Sequence, residues 1–168
     1  MARAALFLDR DGVINRERGE HTWRIGDVEI LPDVATALVT AGQLGMVSIV
    51  ISNQSGIGLG LYTHGDVELV HRYIHDRLAP AGARIDAVYY CPHHPEHGRC
   101  LCRKPAGLLF ERAIARFDID PIRSIMVGDK ERDLQAAAAA GVRAIRMEAN
   151  SSLLLELRQQ DIIAWPHS

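Results

Sequence analysis

Two aspartates one residue apart, Asp9 and Asp11, stand at the end of the apolar run in ALFLDRDGVIN and are followed at once by Gly12. A buried strand gains nothing from ending in paired negative charge unless that charge is used. Asp129 and Asp133 recur after a second apolar run, in GDKERD, and hydroxyl and amide groups follow a third in SNQSG from Ser52. Carboxylates gathered at one edge repel one another and raise their own pKa values. A hard divalent cation with oxygen ligands resolves that conflict, and Mg²⁺ suits a site with few protein carboxylates and several waters. Each stretch alone has a plainer reading: DRDG as a strand-end turn, SNQSG as a capped turn, GDKERD as a glycine turn opening a helix with an acidic first turn. Their joint placement after separate apolar runs is what turn chemistry does not supply.

A second constellation lies in CPHHPEHGRCLC, which offers Cys91, His93, Cys100 and Cys102 as C-x-H and C-x-C pairs across a short gap. Three thiolates and one imidazole make a closed tetrahedral Zn²⁺ site, and closed sites are structural. His94 and His97 are rival imidazoles, and free thiols or adventitious metal capture are the plainer alternative. All three cysteines of the chain fall in this loop, which argues against a disulfide framework. Lys104 sits two residues beyond the last thiol, so zinc would fix the loop that carries it.

The elements that must position these groups alternate along the chain. Apolar β-type runs lie at Ala4 to Leu8, Met46 to Ser52, Ala87 to Cys91, Ser124 to Gly128 and Arg143 to Met147. Helical patterns lie between or after them, at Val34 to Gln43, Thr63 to Leu78, Gly107 to Phe117, Glu131 to Ala140 closed by Gly141, and Ser152 to Gln160 with Ser151 as N-cap. The small-residue tract QAAAAAG reads as a helix face packed close on the sheet. Alternation of this kind predicts a parallel sheet covered on both faces, with the ligand crevice beyond the carboxyl ends of the strands. Asp9, Asp11, Ser52, Cys91, Asp129 and Asp133 all fall at or just after strand ends.

The chain's 168 residues, 48% of them hydrophobic, suffice for one domain over 1–168 with a full core. Nineteen basic against twenty-one acidic residues give a net charge of -2 with no basic block of the kind that follows a phosphate backbone. Nucleic acid is not an expected partner. No apolar run approaches bilayer length or forms a signal peptide, so a cytoplasmic, membrane-free monomer is expected.

With these residues in place the chain resembles the haloacid dehalogenase (HAD) superfamily phosphatases over nearly its whole length. DRDGVIN resembles the family's nucleophile motif, ISNQSG its phosphate-binding second motif, Lys104 in CRKP its third and GDKERD its metal-binding fourth. The resemblance implies a three-layer Rossmann-like α/β fold, with a five-stranded parallel sheet, no large cap domain and a small zinc loop at 91–102. It implies Asp9 as nucleophile, forming an aspartyl phosphate, and Asp11 as the group that protonates the leaving oxygen and later activates water. The spacing of two suits this, because side chains two apart in extended backbone project to one side. Mg²⁺ would be held by the Asp9 carboxylate, the Asp11 carbonyl and Asp129, with Asp133 outside the ligand set. Ser52 and Lys104 would hold the phosphoryl oxygens, with Asn53 assisting, and Gly12 would let the chain turn toward the site.

Within the superfamily the loop resembles two groups, the D-glycero-D-manno-heptose 1,7-bisphosphate 7-phosphatases and the histidinol-phosphate phosphatases. YYCPHHP and the single-domain length lean toward the first, which removes the C7 phosphate and leaves C1 phosphorylated for nucleotide activation. The resemblance implies a phosphorylated sugar as substrate, met by short loops. Glu17, Arg18, Gly19 and Glu20, then Ser52, Asn53, Gln54 and Ser55, with Arg103, Lys104 and Lys130, would touch the sugar or its phosphates. Arginine suits the second phosphate through its bidentate fork. The chain departs from the heptose group at GIGLGLY, where Leu59 replaces an arginine, and at AGLLF after CRKP. A different class of explanation is a non-catalytic binding module that keeps the fold and the zinc loop. Retention of Asp9, Asp11, Lys104 and Asp129 argues against it, since a binding module needs no nucleophile and proton donor together.

Overall fold

The computed structural model describes residues 2–163. Its sheet has five parallel strands, β1 (Ala5–Leu8), β2 (Val47–Asn53), β3 (Ala87–Cys91), β4 (Ile125–Gly128) and β5 (Arg143–Arg146), in the order β3-β2-β1-β4-β5. Helices α1 (Val34–Gln43), α2 (His64–Leu78), α3 (Leu108–Phe117), α4 (Glu131–Ala139) and α5 (Leu153–Gln159) supply the two outer layers. Strand alternation divides the core. Leu6, Leu8, Val50, Val127 and Ile145 pack with buried residues of α1, α2 and α5, while Ala5, Phe7, Ile49, Ile51 and Met126 pack with α3 and α4. The three-layer arrangement read from the sequence is the one observed.

The chain runs outward from β1 through β2 to β3 and then returns to β4 on the other side of β1. That reversal opens a crevice past the ends of β1 and β4. Leu8 pairs with both Val50 and Val127, so Asp9 leaves the middle of the sheet, and its amide still donates to the Val127 carbonyl at 3.0 Å. Beyond the end of β1, four segments line the crevice: a strap from Asn15 to Leu31, the loop after β2, the loop after β3, and the start of α4 with the residue before it. The strap closes on itself through Arg16 N to Glu29 O (2.8 Å) and Leu31 N to Ile14 O (2.9 Å). Asn150 pins it by accepting from Glu17 N at 2.6 Å and donating to Glu17 O at 3.0 Å. No cap domain interrupts the described residues.

Helix boundaries follow local chemistry with one correction. Thr63 caps α2 by accepting from Asp66 N, and Asp66 answers to Thr63 N, a reciprocal capping box. Ser152, not Ser151, caps α5 by accepting from Leu155 N at 2.9 Å. Ser151 instead donates to the Glu148 carbonyl at 2.6 Å, and the Ser152 hydroxyl donates to Asp33, tying α5 to the start of α1. The alanine tract of α4 buries Ala136 and Ala137, and α3 starts so close that a Cβ at Gly107 would meet the Ala139 Cβ at 3.3 Å.

Candidate active site

Beyond Leu8 the backbone bends at Arg10 rather than continuing extended, and Gly12 completes the turn at φ 89°. A Cβ there would stand 2.8 Å from Asp129 Oδ2, so glycine is required both by its backbone and by the closeness of β4's carboxylate. Asp9 and Asp11 still reach the same cleft, a space of about 500 Å³ lined also by Glu17, Gly19, Glu20, His21, Thr22, Asn53, Gln54, Ser55, Arg103, Lys130 and Arg132. That volume is in the range of small-molecule sites.

Lys104 is buried beneath Asp9. Its Nζ donates to Asp9 Oδ1 at 2.9 Å and to the Ile51 carbonyl at 2.6 Å, and lies 2.7 Å from Asp133 Oδ1. Asn53 holds the lysine backbone by accepting from Lys104 N at 3.0 Å and donating to Lys104 O at 3.2 Å. Asp133, fully buried, also accepts from Lys130 N at 3.0 Å. A Cβ at Gly128 would come within 2.3 Å of the Asp133 Cβ, so the glycine before Asp129 makes room for this carboxylate. Burial works to lower the lysine's pKa, but Asp9 and Asp133 outweigh it and hold the ammonium charged. Burial pushes the Asp9 carboxyl up against the opposing pull of Lys104, with Asp133 and Asp11 adding to the rise.

Asp9, Asp129 and Asp133 bring carboxylate oxygens within 4.8 Å of one another. Lys104 Nζ and Lys130 N engage those of Asp133, and the three carboxylates together could hold a metal ion. Buried Asp129 Oδ1 has no hydrogen-bond partner among the described residues, while Oδ2 accepts from Lys130 Nζ at 2.7 Å. Burial raises the Asp129 carboxyl, Lys130 opposes, and Asp9 adds to the rise. An oxygen-only donor set with a free, inward-facing lone pair fits Mg²⁺.

Asp11 is held differently. Its Oδ1 accepts from Arg10 Nη2 at 3.0 Å and from Asn15 Nδ2 at 2.9 Å, and Oδ2 faces Gln54 Nε2 at 3.3 Å. Burial would raise this carboxyl, but the Arg10 guanidinium and the hydrogen bonds from Asn15, Arg10 and Gln54 outweigh it and hold it below the ordinary range.

The expected substrate residues divide. Glu17, Gly19, Glu20, Asn53, Gln54, Ser55, Arg103 and Lys130 line the cleft. Arg18 does not, because it turns to Asp27 at 3.0 Å, Ser52 lies below the floor with its hydroxyl accepting from Gln54 Nε2 at 2.8 Å, and buried Lys104 lies beneath Asp9 rather than in the lining. Exposed Leu59 is also outside the lining. His21, Thr22 and Arg132 join the lining without having been singled out in the sequence, and buried Arg10 underlies it. Strand alternation could have flagged Arg10, which falls two residues after Leu8 on an apolar face. Of the strap, the sequence points to residues 17–20, whereas His21 and Thr22 carry no local signal of their own.

The loop after β3 brings Cys91, His93, Cys100 and Cys102 together, with ligand atoms within 4.8 Å of one another. Cys91 Sγ lies 3.5 Å from His93 Nδ1 and 3.6 Å from Cys100 Sγ, and His93 Nδ1 lies 3.3 Å from Cys102 Sγ. A tetrahedral zinc with Zn–S of ~2.3 Å requires edges of about 3.8 Å between sulfurs, which the Cys91–Cys100 pair approaches, while Cys102 Sγ stands 3.0 Å from Cys91 Sγ and must move outward to admit the ion. The rival imidazoles are engaged elsewhere: His94 accepts from Glu96 N, and His97 Nδ1 meets the Gly58 carbonyl at 2.7 Å. The cluster can hold zinc.

Comparison with known proteins agrees with this arrangement. A family model described as HAD-hyrolase-like matches residues 101–162. The D-glycero-alpha-D-manno-heptose-1,7-bisphosphate 7-phosphatase of Burkholderia mallei (strain ATCC 23344) is 43% identical over 148 residues, covering 84% of this chain and 78% of that protein. The D-glycero-beta-D-manno-heptose-1,7-bisphosphate 7-phosphatase of Haemophilus ducreyi is 38% identical over 149 residues, covering 85% and 81%. Among solved structures, the D,D-heptose 1,7-bisphosphate phosphatase of B. bronchiseptica, complexed with magnesium and phosphate, superposes with a TM-score of 0.81 at 29% identity, covering 94% of this chain and 99% of that one. The chain belongs to the heptose-1,7-bisphosphate 7-phosphatase family of HAD-like phosphatases.

Proposed function

We propose that this chain hydrolyses the C7 phosphate of D-glycero-D-manno-heptose 1,7-bisphosphate through an aspartyl phosphate on Asp9. The observation that carries the reading is the position of Asp9: its Oδ1 lies 2.9 Å from buried Lys104 Nζ, and Asp11 reaches the same cleft from a separate set of bonds. Two carboxylates reaching one cleft supply the nucleophile and the proton-transfer group that ester cleavage needs.

An Asp9 carboxylate oxygen attacks phosphorus, the bond from phosphorus to O7 breaks, and O7 takes a proton from Asp11. Water then attacks the same phosphorus, Asp11 takes its proton, and the Asp9 carboxylate is released with inorganic phosphate. Lys104 holds Asp9 and offers its charge to the phosphoryl oxygens. Mg²⁺, when bound by Asp9, Asp129 and the Asp11 carbonyl, supplies the charge neutralisation that lets an anionic nucleophile approach a phosphate. Arg103, Lys130 and Arg132 give the cleft cations for the phosphate that is not transferred, and Glu17, Glu20, Asn53 and Ser55 give it acceptors and donors for sugar hydroxyls. A monomer working in the cytoplasm accompanies this reading, and no helix among the described residues is long and apolar enough to cross a membrane. Light scattering during chromatography tests the monomer.

Asp9→Asn is nearly isosteric and a poor nucleophile. Turnover of both anomers of the heptose bisphosphate should vanish in this variant while its melting curve stays that of a folded protein. Phosphoenzyme trapped by acid quench should form on wild type only. Undiminished hydrolysis by Asp9→Asn, or preference of the wild type for histidinol phosphate over both heptose anomers, overturns the reading.

A further inference from the structure

Arg10 is 1% exposed, a full charge placed among apolar side chains. Two residues after Leu8, it falls on the sheet face that carries α2, opposite in sense to Asp9. A buried cation is a costly way to fill space, since desolvation offsets most of what its ion pair returns. Its contacts indicate what it does there. Nε and Nη2 both donate to Asp11 Oδ1, at 3.3 and 3.0 Å, Nη2 donates to the Thr22 carbonyl at 2.7 Å, and Nη1 lies 3.4 Å from His71 Nε2 on α2. A guanidinium only donates, so the imidazole nitrogen accepts and the ring is neutral.

The other side of Asp11 is fixed as well. Gln54 Nε2 faces Asp11 Oδ2 and donates to the Ser52 hydroxyl, and Gln54 Oε1 accepts from Tyr62 at 3.0 Å. The Tyr62 ring stacks on Trp23 of the strap, with centroids 5.9 Å apart and planes 15° from parallel. The Arg10 and Gln54 routes out of the Asp11 carboxylate both reach the strap, one at Thr22 and one at Trp23, and Asn15 at the start of the strap donates to Oδ1 directly at 2.9 Å.

We propose that Arg10 is the positioning residue for proton transfer: its fork fixes the orientation of the Asp11 carboxylate and locks it to the substrate-facing strap through the Thr22 carbonyl. The inference rests on the reading of Asp11 as the acid–base group, and the test separates the two. Single-turnover phosphoryl transfer to Asp9 is followed in wild type, Arg10→Met, Arg10→Lys and Asp11→Asn. Each is given an aryl phosphate, whose leaving group departs without a proton, and an alkyl phosphate, whose leaving oxygen needs one.

Arg10→Met should lose on the order of 10²-fold on the alkyl ester and less than about threefold on the aryl ester, the selectivity expected when general-acid help is lost. Asp11→Asn should show the same selectivity. Arg10→Lys, which keeps the charge without the fork, should fall between Arg10→Met and wild type, and it decides the matter if Arg10→Met does not fold. Equal losses on both esters in the Arg10 variants would make the residue merely structural and overturn the inference. Selective loss in Asp11→Asn without it in either Arg10 variant overturns the inference alone, and no selectivity in Asp11→Asn overturns the acid–base reading together with it.

Discussion

Lys104 Nζ lies 2.7 Å from Asp133 Oδ1, and neither side chain reaches solvent. The pair joins the loop after the zinc ligands to the first turn of α4, and the same ammonium carries Asp9. The carboxylate read as nucleophile is thus set by a cation that a helix on the far side of the cleft holds in place.

Breaking a buried pair from one side leaves an uncompensated charge and costs about 3–5 kcal/mol, whereas removing both partners together can be nearly neutral. Lys104→Met and Asp133→Leu should each lower stability by about that amount, and the double variant should regain part of it, with Asp9 still lacking its ammonium, without regaining activity. Urea melts and phosphate-release assays on the four proteins check this. Additive losses would show that the two residues are not coupled.

Magnesium should stabilise as well as activate. At a hundredfold excess over its dissociation constant a ligand that binds only the folded state adds about 2.7 kcal/mol. Wild type should show such a rise in its melting profile on Mg²⁺ addition, and Asp129→Asn should not. Ca²⁺ should occupy the site without supporting turnover, because its larger, more variable coordination relaxes the octahedral geometry an in-line transfer needs. Activity that survives exhaustive Mg²⁺ removal would contradict the carboxylate argument.

Zinc held by the Cys/His cluster would act on the cleft by two routes. The loop passes from Cys102 directly to Arg103 and Lys104, and it grips the loop after β2 through His97 to Gly58 O (2.7 Å), Gly58 N to Pro92 O (2.8 Å) and Gln54 N to Cys91 O (2.7 Å). One equivalent of Zn²⁺ should copurify and survive dialysis. Cys100→Ser should lose zinc and most activity while the five-stranded core keeps the domain folded, although structural zinc can contribute on the order of 10 kcal/mol in small peptides. Metal analysis, melting curves and activity assays separate the three effects. A zinc-free wild type with full activity would reduce the cluster to incidental thiols.

His71 predicts an acid weakness. Burial, with Arg10 adding, pushes its pKa down to about 3 from an ordinary 6.5. The unfolded chain takes up this proton first, so the contribution is fully present above pH 6.5 and is lost as pH falls toward 3. At pH 5 the loss approaches about 2 kcal/mol. His71→Leu should flatten the fall in stability between pH 7 and 5 relative to wild type, as read from denaturant midpoints. An unchanged slope would show that the ring is not held neutral.

Local chemistry in the sequence determined much of this molecule. Period-two apolar runs placed the strands, and the observed bounds of β3 and α1 coincide with those runs because each is closed by its own turn or cap residues. Ser151 and Ser152 are locally equivalent as caps of α5, and the bonds of Ser152 to Leu155 N and Asp33 and of Ser151 to the Glu148 carbonyl tell them apart. The carboxylates after β1 and β4 were legible as one group because a parallel sheet delivers every strand end to the same edge. Which of those groups touch was decided by tertiary structure alone. Asp133 faces Lys104, Arg18 turns to Asp27, Ser52 sinks beneath Gln54, and Arg10 bridges Asp11 to Thr22. The Asp133–Lys104 and Arg10–Thr22 contacts join residues of separate segments, where buried charges and polar groups must find partners in three dimensions, and spacing along the chain carries no record of that choice.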